Sequence, residues 1–71
     1  MKNIYVRLLE EGVEVYRPVP AIEKGNNIYE IQGYDIYDDD DEIWEFTPGS
    51  YVLVEEQLLD GEMFLVATSN V

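Results

Sequence analysis

The stretch Val13-Glu14-Val15-Tyr16-Arg17-Pro18-Val19-Pro20 carries the pattern on which the predicted fold rests. Valine and tyrosine are common in β-strands, so we expect this stretch to be the second strand of a hairpin. Proline cannot donate to a β-ladder, so Pro18 and Pro20 predict an edge, a bulge or a kink in that strand. Because bends and bulges turn the corners of small barrels, such a strand favours a barrel.

The residues on both sides of this stretch predict further short strands. Apolar side chains alternate along residues 2–10, which are expected to form the first strand before a turn at Glu11-Gly12. Gly, Pro and Asn favour turn conformations, which predicts turns at Lys24–Asn27, Thr47–Ser50 and Asp60-Gly61. The remaining strands are expected at residues 28–31, 43–46, 51–59 and 63–68, with a loop at 34–42.

The fold class follows from the number and length of these strands. Five or six short strands within residues 1–71 must wrap around one core, because a flat sheet would leave one apolar face uncovered. A long bent early strand, a short strand, a variable loop and a terminal hairpin predict a single all-β domain, a small five- to six-stranded SH3-like barrel. An OB-like barrel is the alternative, although it usually includes a helix and helix signals are poor here.

The charge is strongly one-sided along the chain. Sixteen acids and four bases give a net charge of −12, and all four bases lie within residues 1–24. A negative field repels nucleic acid and anionic lipid and attracts basic partners. We therefore expect a basic protein or peptide surface as the partner, with no direct binding of nucleic acid or membrane. No long apolar segment or signal peptide is visible in the sequence, which predicts a cytoplasmic protein.

The residue types argue against catalysis. The chain has no histidine and no cysteine, so the usual general base and nucleophile are missing. A core this small cannot also open a deep substrate pocket. Asp38 to Glu42 could offer oxygen ligands to calcium, but the twelfth position counted from Asp38 is Gly49 instead of the glutamate of an EF-hand. We expect no enzyme activity, no cofactor and no specific metal site.

Aromatic residues surround the acidic run. Trp44 and Phe46 fall on one face of their strand and are predicted to be core residues together with Tyr29. Tyr34 and Tyr37 lie in the loop, where we expect their rings to be exposed, and Arg17 is expected to pair with a surface acid.

Acids beside exposed rings suit a positively charged ligand, because ring faces attract cations and carboxylates pair with them. In SH3-like domains, a groove of this kind often binds basic or proline-rich peptides. The predicted partner-binding residues are Tyr34, Asp35, Tyr37, Asp38, Asp39, Asp40, Asp41 and Glu42.

The stretch from Val6 to Val19 reads VRLLEEGVEVYRPV. It resembles the opening of a family of small uncharacterised bacterial proteins that share V-R-L-L, two acids, glycine, and then V-aromatic-R-P-V. Further similarities lie at Ile43–Phe46, Pro48–Ser50, Val54–Glu56 and Leu65–Ala67. The resemblance spans nearly the whole chain and implies a single-domain bacterial protein, and it implies no catalytic or binding residue.

Three hypotheses of function follow. The leading one is a non-catalytic interaction module that binds a basic or cationic partner through the acidic, aromatic-flanked loop. The one-sided charge also permits a nucleic-acid-mimicking inhibitor, of the kind that phages direct against bacterial defence nucleases. The third is a structural or self-associating protein, although the strand with Pro18 and Pro20 would resist edge pairing. A monomer or a weak homodimer is therefore expected.

Overall fold

The computed structural model describes residues 1–71 and contains six strands and no helix. The strands are β1 (Lys2–Leu9), β2 (Val15–Gly25), β3 (Ile28–Ile31), β4 (Ile43–Trp44), β5 (Tyr51–Leu59) and β6 (Glu62–Asn70). The all-β prediction is confirmed, and each predicted strand is present. β4 is shorter than expected and β6 is longer. No helix with the length and hydropathy needed to cross a membrane is present.

The strand pairings form a ring. β1 pairs antiparallel with the first part of β2, and the second part of β2 pairs with β3. β3 pairs with β5, β5 pairs with β6, and β6 returns to β1 through one parallel pair, Tyr5 with Val66. β4 lies outside the ring and pairs with the end of β1. β2 thus pairs with two different strands along its length, which agrees with the bend predicted for it. The ring is the connectivity that a small barrel requires.

The prolines of β2 occupy an edge. Pro18 and Pro20 lie opposite Tyr5 and Asn3 in the pairing with β1. The Pro20 carbonyl accepts a hydrogen bond from the Gln32 N–H, on the side away from β1. The N–H and C=O of one residue point to the same side of an antiparallel strand, and residues two apart share that side. The backbone nitrogens of Pro18 and Pro20, which carry no hydrogen, therefore also face away from β1. The prolines therefore cost no β1–β2 hydrogen bond, and Pro18 leaves the outer edge of β2 without an N–H that another strand could use.

Backbone conformations at the turns fix the hairpin registers. Asn26 and Asn27 have φ of 54° and 63°, and Asp60 and Gly61 have φ of 51° and 81°. Two consecutive residues with positive φ form a type I′ turn, whose twist matches that of the flanking strands. The turns predicted at Lys24–Asn27 and Asp60-Gly61 are confirmed, although the first turn contains only Asn26 and Asn27, because β2 continues to Gly25.

The core is a cluster of apolar side chains contributed by all six strands and the segment after β4. Trp44 is its largest member and is 1% exposed, and Tyr29 and Phe46 are buried beside it, as predicted. Gly33 allows this packing, because a Cβ at Gly33 would lie 3.1 Å from Cη2 of Trp44. The other members are Ile4, Val6, Leu8, Val19, Ala21, Ile31, Val52, Val54 and Ala67.

The β5–β6 hairpin extends beyond this core. Its inner face begins with the buried Val52 and Val54, but Glu56 and Leu58 on the same face are exposed. The N–H of Val54 donates to the carbonyl of Asn27, so the hairpin passes the β2–β3 turn at this point. We call residues 55–65 the hairpin tip.

Candidate functional site

The segment that joins β3 to β4, residues 34–42, is called the acidic loop from here on. The carbonyl of Gly33 accepts hydrogen bonds from the N–H groups of Ile36 and Tyr37, at 3.0 and 2.9 Å. The carbonyl of Asp38 accepts from Asp41 and Glu42, at 3.0 and 3.1 Å. The predicted loop is therefore confirmed, and it consists of two successive turns with internal backbone hydrogen bonds.

The Asp38 side chain reinforces the second turn. Its Oδ1 accepts a hydrogen bond from the backbone N–H of Asp40, at 3.0 Å. Short polar side chains often bond to the backbone two residues on, and this favours a turn over a strand or a helix. The four consecutive aspartates thus have a defined backbone path despite their mutual repulsion.

Glu42 connects the acidic loop to the core. Its Oε1 accepts a hydrogen bond from Nε1 of Trp44 at 3.0 Å and another from the guanidinium of Arg17. The Arg17 guanidinium also lies over the Trp44 ring, 5.8 Å from its centroid. The prediction that Arg17 pairs with an acid is confirmed. The hydrogen bond from Trp44, together with the bond and charge of Arg17, holds the pKa of Glu42 below its usual value, although burial opposes this.

The other loop acids remain free. Asp35 and Asp38 to Asp41 are exposed, and one carboxylate oxygen from each of Asp38, Asp39 and Asp40 lies within 4.8 Å of the others. None of them belongs to an ion pair, since the three ion pairs of the molecule are Lys2–Glu23, Arg17–Glu42 and Lys24–Glu30. The loop therefore presents negative charge that no base of this chain neutralises.

The two loop tyrosines differ in their environment. Tyr34 is 66% exposed, and its hydroxyl lies over Gly49, where a Cβ would be only 2.9 Å away. Tyr37 is half-buried, and its ring packs against that of Trp44 with 4.8 Å between the centroids. The expectation that both rings are exposed is thus correct for Tyr34 and wrong for Tyr37, because the Tyr37 ring covers part of Trp44.

Further acids lie at the same end of the molecule. β1 ends beside β4, with Leu9 opposite Ile43, so the β1–β2 turn emerges next to the acidic loop. That turn carries Glu10, Glu11 and Glu14, which are outside the three ion pairs, and it lines an open groove of about 390 Å³. These acids were not among the predicted site residues, because the bases of residues 1–24 balance them in number. Three of the four bases pair elsewhere, however, and only Arg7 lines the same groove. The pairing of β1 with β4 brings the turn next to the loop.

Comparison of the chain with known protein families, curated proteins and solved structures finds no match. The resemblance noted at Val6–Val19 stays a prediction.

Proposed function

We propose that the chain is a non-catalytic interaction module that binds a basic or cationic surface of a partner protein or peptide through the acidic loop. The main support for this proposal is that only one of the loop acids is bonded to the rest of the protein. Glu42 is held by Arg17 and Trp44, whereas Asp35 and Asp38 to Asp41 are exposed and unpaired. We also propose that the protein acts in the bacterial cytoplasm.

The mode of binding follows from the loop geometry. The two hydrogen-bonded turns fix the backbone before a partner arrives, which lowers the entropy lost on binding. Carboxylates pair with lysine and arginine side chains, and the exposed ring of Tyr34 offers a face to the same cations. Charge at exposed positions mainly accelerates association and is screened by salt, so the binding should weaken as the ionic strength rises.

The nucleic-acid-mimic hypothesis has less structural support. A regular row of negative charge on a strand requires acids at alternating positions, and no strand has that spacing. The strand acids are Glu23 on β2, Glu30 on β3, Glu55 and Glu56 on β5, and Glu62 on β6. Most of the remaining acids lie in turns, which suits a local cationic contact better than an extended imitation of a phosphate backbone.

Isothermal titration calorimetry with octalysine tests the proposal. In the loop variant, Asp38, Asp39, Asp40 and Asp41 are changed to asparagine, which keeps the side-chain oxygen that bonds within the turn. The matched control changes Glu55, Glu56 and Glu62 to glutamine and Asp60 to asparagine. Both variants lose four negative charges. We expect the loop variant to bind at least about tenfold more weakly than the control, equivalent to ~1.4 kcal/mol.

Equal affinities for the two variants would contradict the proposal, since net charge alone would then explain the binding.

The variant Tyr34→Ala tests the contribution of the ring to binding without changing the charge of the loop. Loss of an exposed cation–π contact of ~0.5–1 kcal/mol should weaken binding about two- to fivefold. Tyr37→Ala is a poorer probe because its ring supports Trp44.

A further inference from the structure

The hairpin tip exposes a pair of large apolar side chains. Leu58 and Met63 face each other across β5 and β6 and are 67% and 57% exposed. They lie on the strand face that supplies Val52 and Val54 to the core, but the hairpin has passed the core at this point. No packing within the chain therefore accounts for this apolar pair.

An open groove adjoins the pair. It has a volume of about 310 Å³ and is lined by Asn27, Tyr29, Val54, Glu55, Glu56 and Leu65. Leu65 lies opposite Glu56 on the same hairpin face as Leu58 and Met63. Leu65 thus connects the groove to the exposed pair.

Negative charge lies beside this apolar surface: Glu56 is on the same hairpin face and Asp60 is in the turn, whereas Glu55 and Glu62 are on the opposite face. The hairpin tip carries Glu55, Glu56, Asp60 and Glu62, and none of these acids belongs to an ion pair. No lysine or arginine follows Lys24 in the chain. The apolar pair therefore has unpaired acids beside it and on the opposite face of the hairpin.

We propose that this face of the hairpin tip is a second docking surface, which binds a partner segment with a lysine or arginine next to an apolar residue. The apolar residue would cover Leu58 and Met63. The aliphatic stem of the basic residue would lie along Leu65, with its charged group at Glu56, as such side chains do at mixed surfaces. Charge argues against a second copy as the occupant, because two copies would bring the unpaired acids of two hairpin tips together.

The second surface is separate from the acidic loop. β6 runs parallel to β1 with Val66 level with Tyr5, so the turn between β5 and β6 lies near the start of β1. The acidic loop leads into β4, which pairs with the end of β1. Distances along the strands can be counted from the Tyr5–Val66 pair at ~3.3 Å per residue. Glu62 lies about 13 Å from this pair toward the start of β1, and Leu8 lies about 10 Å from it toward the end of β1. The two surfaces can therefore be tested independently.

Fluorescence anisotropy with a labelled peptide of alternating lysine and leucine tests the docking surface. The variant Leu58→Ser with Met63→Ser removes the apolar pair and leaves the net charge unchanged. The matched control is Val13→Ser with Val71→Ser, since these two residues are 72% and 69% exposed and lie outside the hairpin tip. We expect the hairpin variant to bind the peptide at least fivefold more weakly (~1 kcal/mol) and the control to bind as the unchanged protein does.

Octalysine provides the comparison with the acidic loop. Its affinity should be the same for the unchanged protein and for both serine variants, because it has no apolar side chains.

Glu56→Gln should weaken binding of the alternating peptide and leave the fold intact, since Glu56 is exposed. Unchanged peptide affinity in the Leu58→Ser, Met63→Ser variant would overturn the docking surface. So would a mass that rises with concentration in light scattering for the unchanged protein but not for this variant, because a second copy would then be the occupant.

Discussion

The carboxylate of Glu42 accepts hydrogen bonds from two donors on different strands, the Trp44 indole on β4 and the Arg17 guanidinium on β2. Trp44 is 1% exposed, so without Glu42 its indole N–H would lose its partner in a place with little access to water. A buried donor without a partner costs more than an average hydrogen bond contributes. Glu42 was predicted as a partner-binding residue, and the structure places it where it also holds the acidic loop against the core.

Glu42→Gln should lower the free energy of unfolding by about 1 kcal/mol at neutral pH, because the charge-assisted bond to Arg17 is lost. A carboxyl whose pKa is lower in the folded than in the unfolded state stabilises the fold above the unfolded value, and this contribution disappears as the pH falls through the folded value. The difference between the two proteins should therefore be present at pH 7 and shrink well below the ordinary glutamate pKa of about 4.3.

Urea titrations followed by the fluorescence of Trp44, the single tryptophan, measure this difference at each pH. Glu45→Gln is the matched control, because Glu45 is exposed and outside the ion pairs. It should leave the stability unchanged within ~0.5 kcal/mol. A Glu42→Gln effect that stays constant down to acid pH would show that the carboxylate charge is not what holds the loop.

At the level of elements, turn chemistry made most of the fold predictable. Asn26, Asn27, Asp60 and Gly61 are residue types that tolerate positive φ, and the structure has positive φ at each of them. These local preferences do not depend on distant packing, which is why the strands around them could be placed from the sequence.

Features that depend on packing between distant residues were not predictable. β5 and β6 shift register between Leu53 and Val54, which leaves Thr68 as an extra residue on β6. Val66 and Ala67, neighbours in sequence, are both buried, so an alternating pattern could not describe this strand. Likewise, the loop position of Tyr37 gave no sign that its ring would pack on Trp44.

The β2–β3 turn offers a test of how far backbone conformation at a turn residue stabilises the fold. Asn27 has a φ of 63°, and its carbonyl accepts the hydrogen bond from Val54. Asn27→Ala should lower the free energy of unfolding by about 1 kcal/mol, because alanine tolerates the left-handed conformation poorly. Asn27→Gly should retain the stability, since glycine adopts that conformation freely. Thermal unfolding followed by circular dichroism compares the variants, and equal losses in both would indicate a role for the asparagine side chain instead of the backbone.

Over the whole molecule, unpaired negative charge lies at both ends. Three of the four bases form ion pairs, and their partners are acids on β2, on β3 and at the end of the acidic loop. The unpaired acids lie mainly in the acidic loop, the β1–β2 turn and the hairpin tip. The sequence located the acidic loop correctly, but only the strand pairing shows which other acids share its end of the molecule.

Uncompensated like charges repel one another in the compact state, so salt should stabilise the fold. We expect the melting temperature at neutral pH to rise in about 0.5 M NaCl, where screening acts over much less than the ~8 Å of physiological ionic strength. The rise should be smaller for the variant with asparagine at residues 38–41, because it has less repulsion to screen. An unchanged or lower melting temperature in salt would mean that the acids are favourably dispersed.

Backbone amide NMR spectra of the unchanged protein, titrated with octalysine, show directly whether a cationic partner binds at the acidic loop. We expect the largest shifts on residues 34–42 and on the indole N–H of Trp44, which is bonded to Glu42. Shifts spread evenly over all acidic segments, or greatest at the hairpin tip, would contradict binding at the acidic loop.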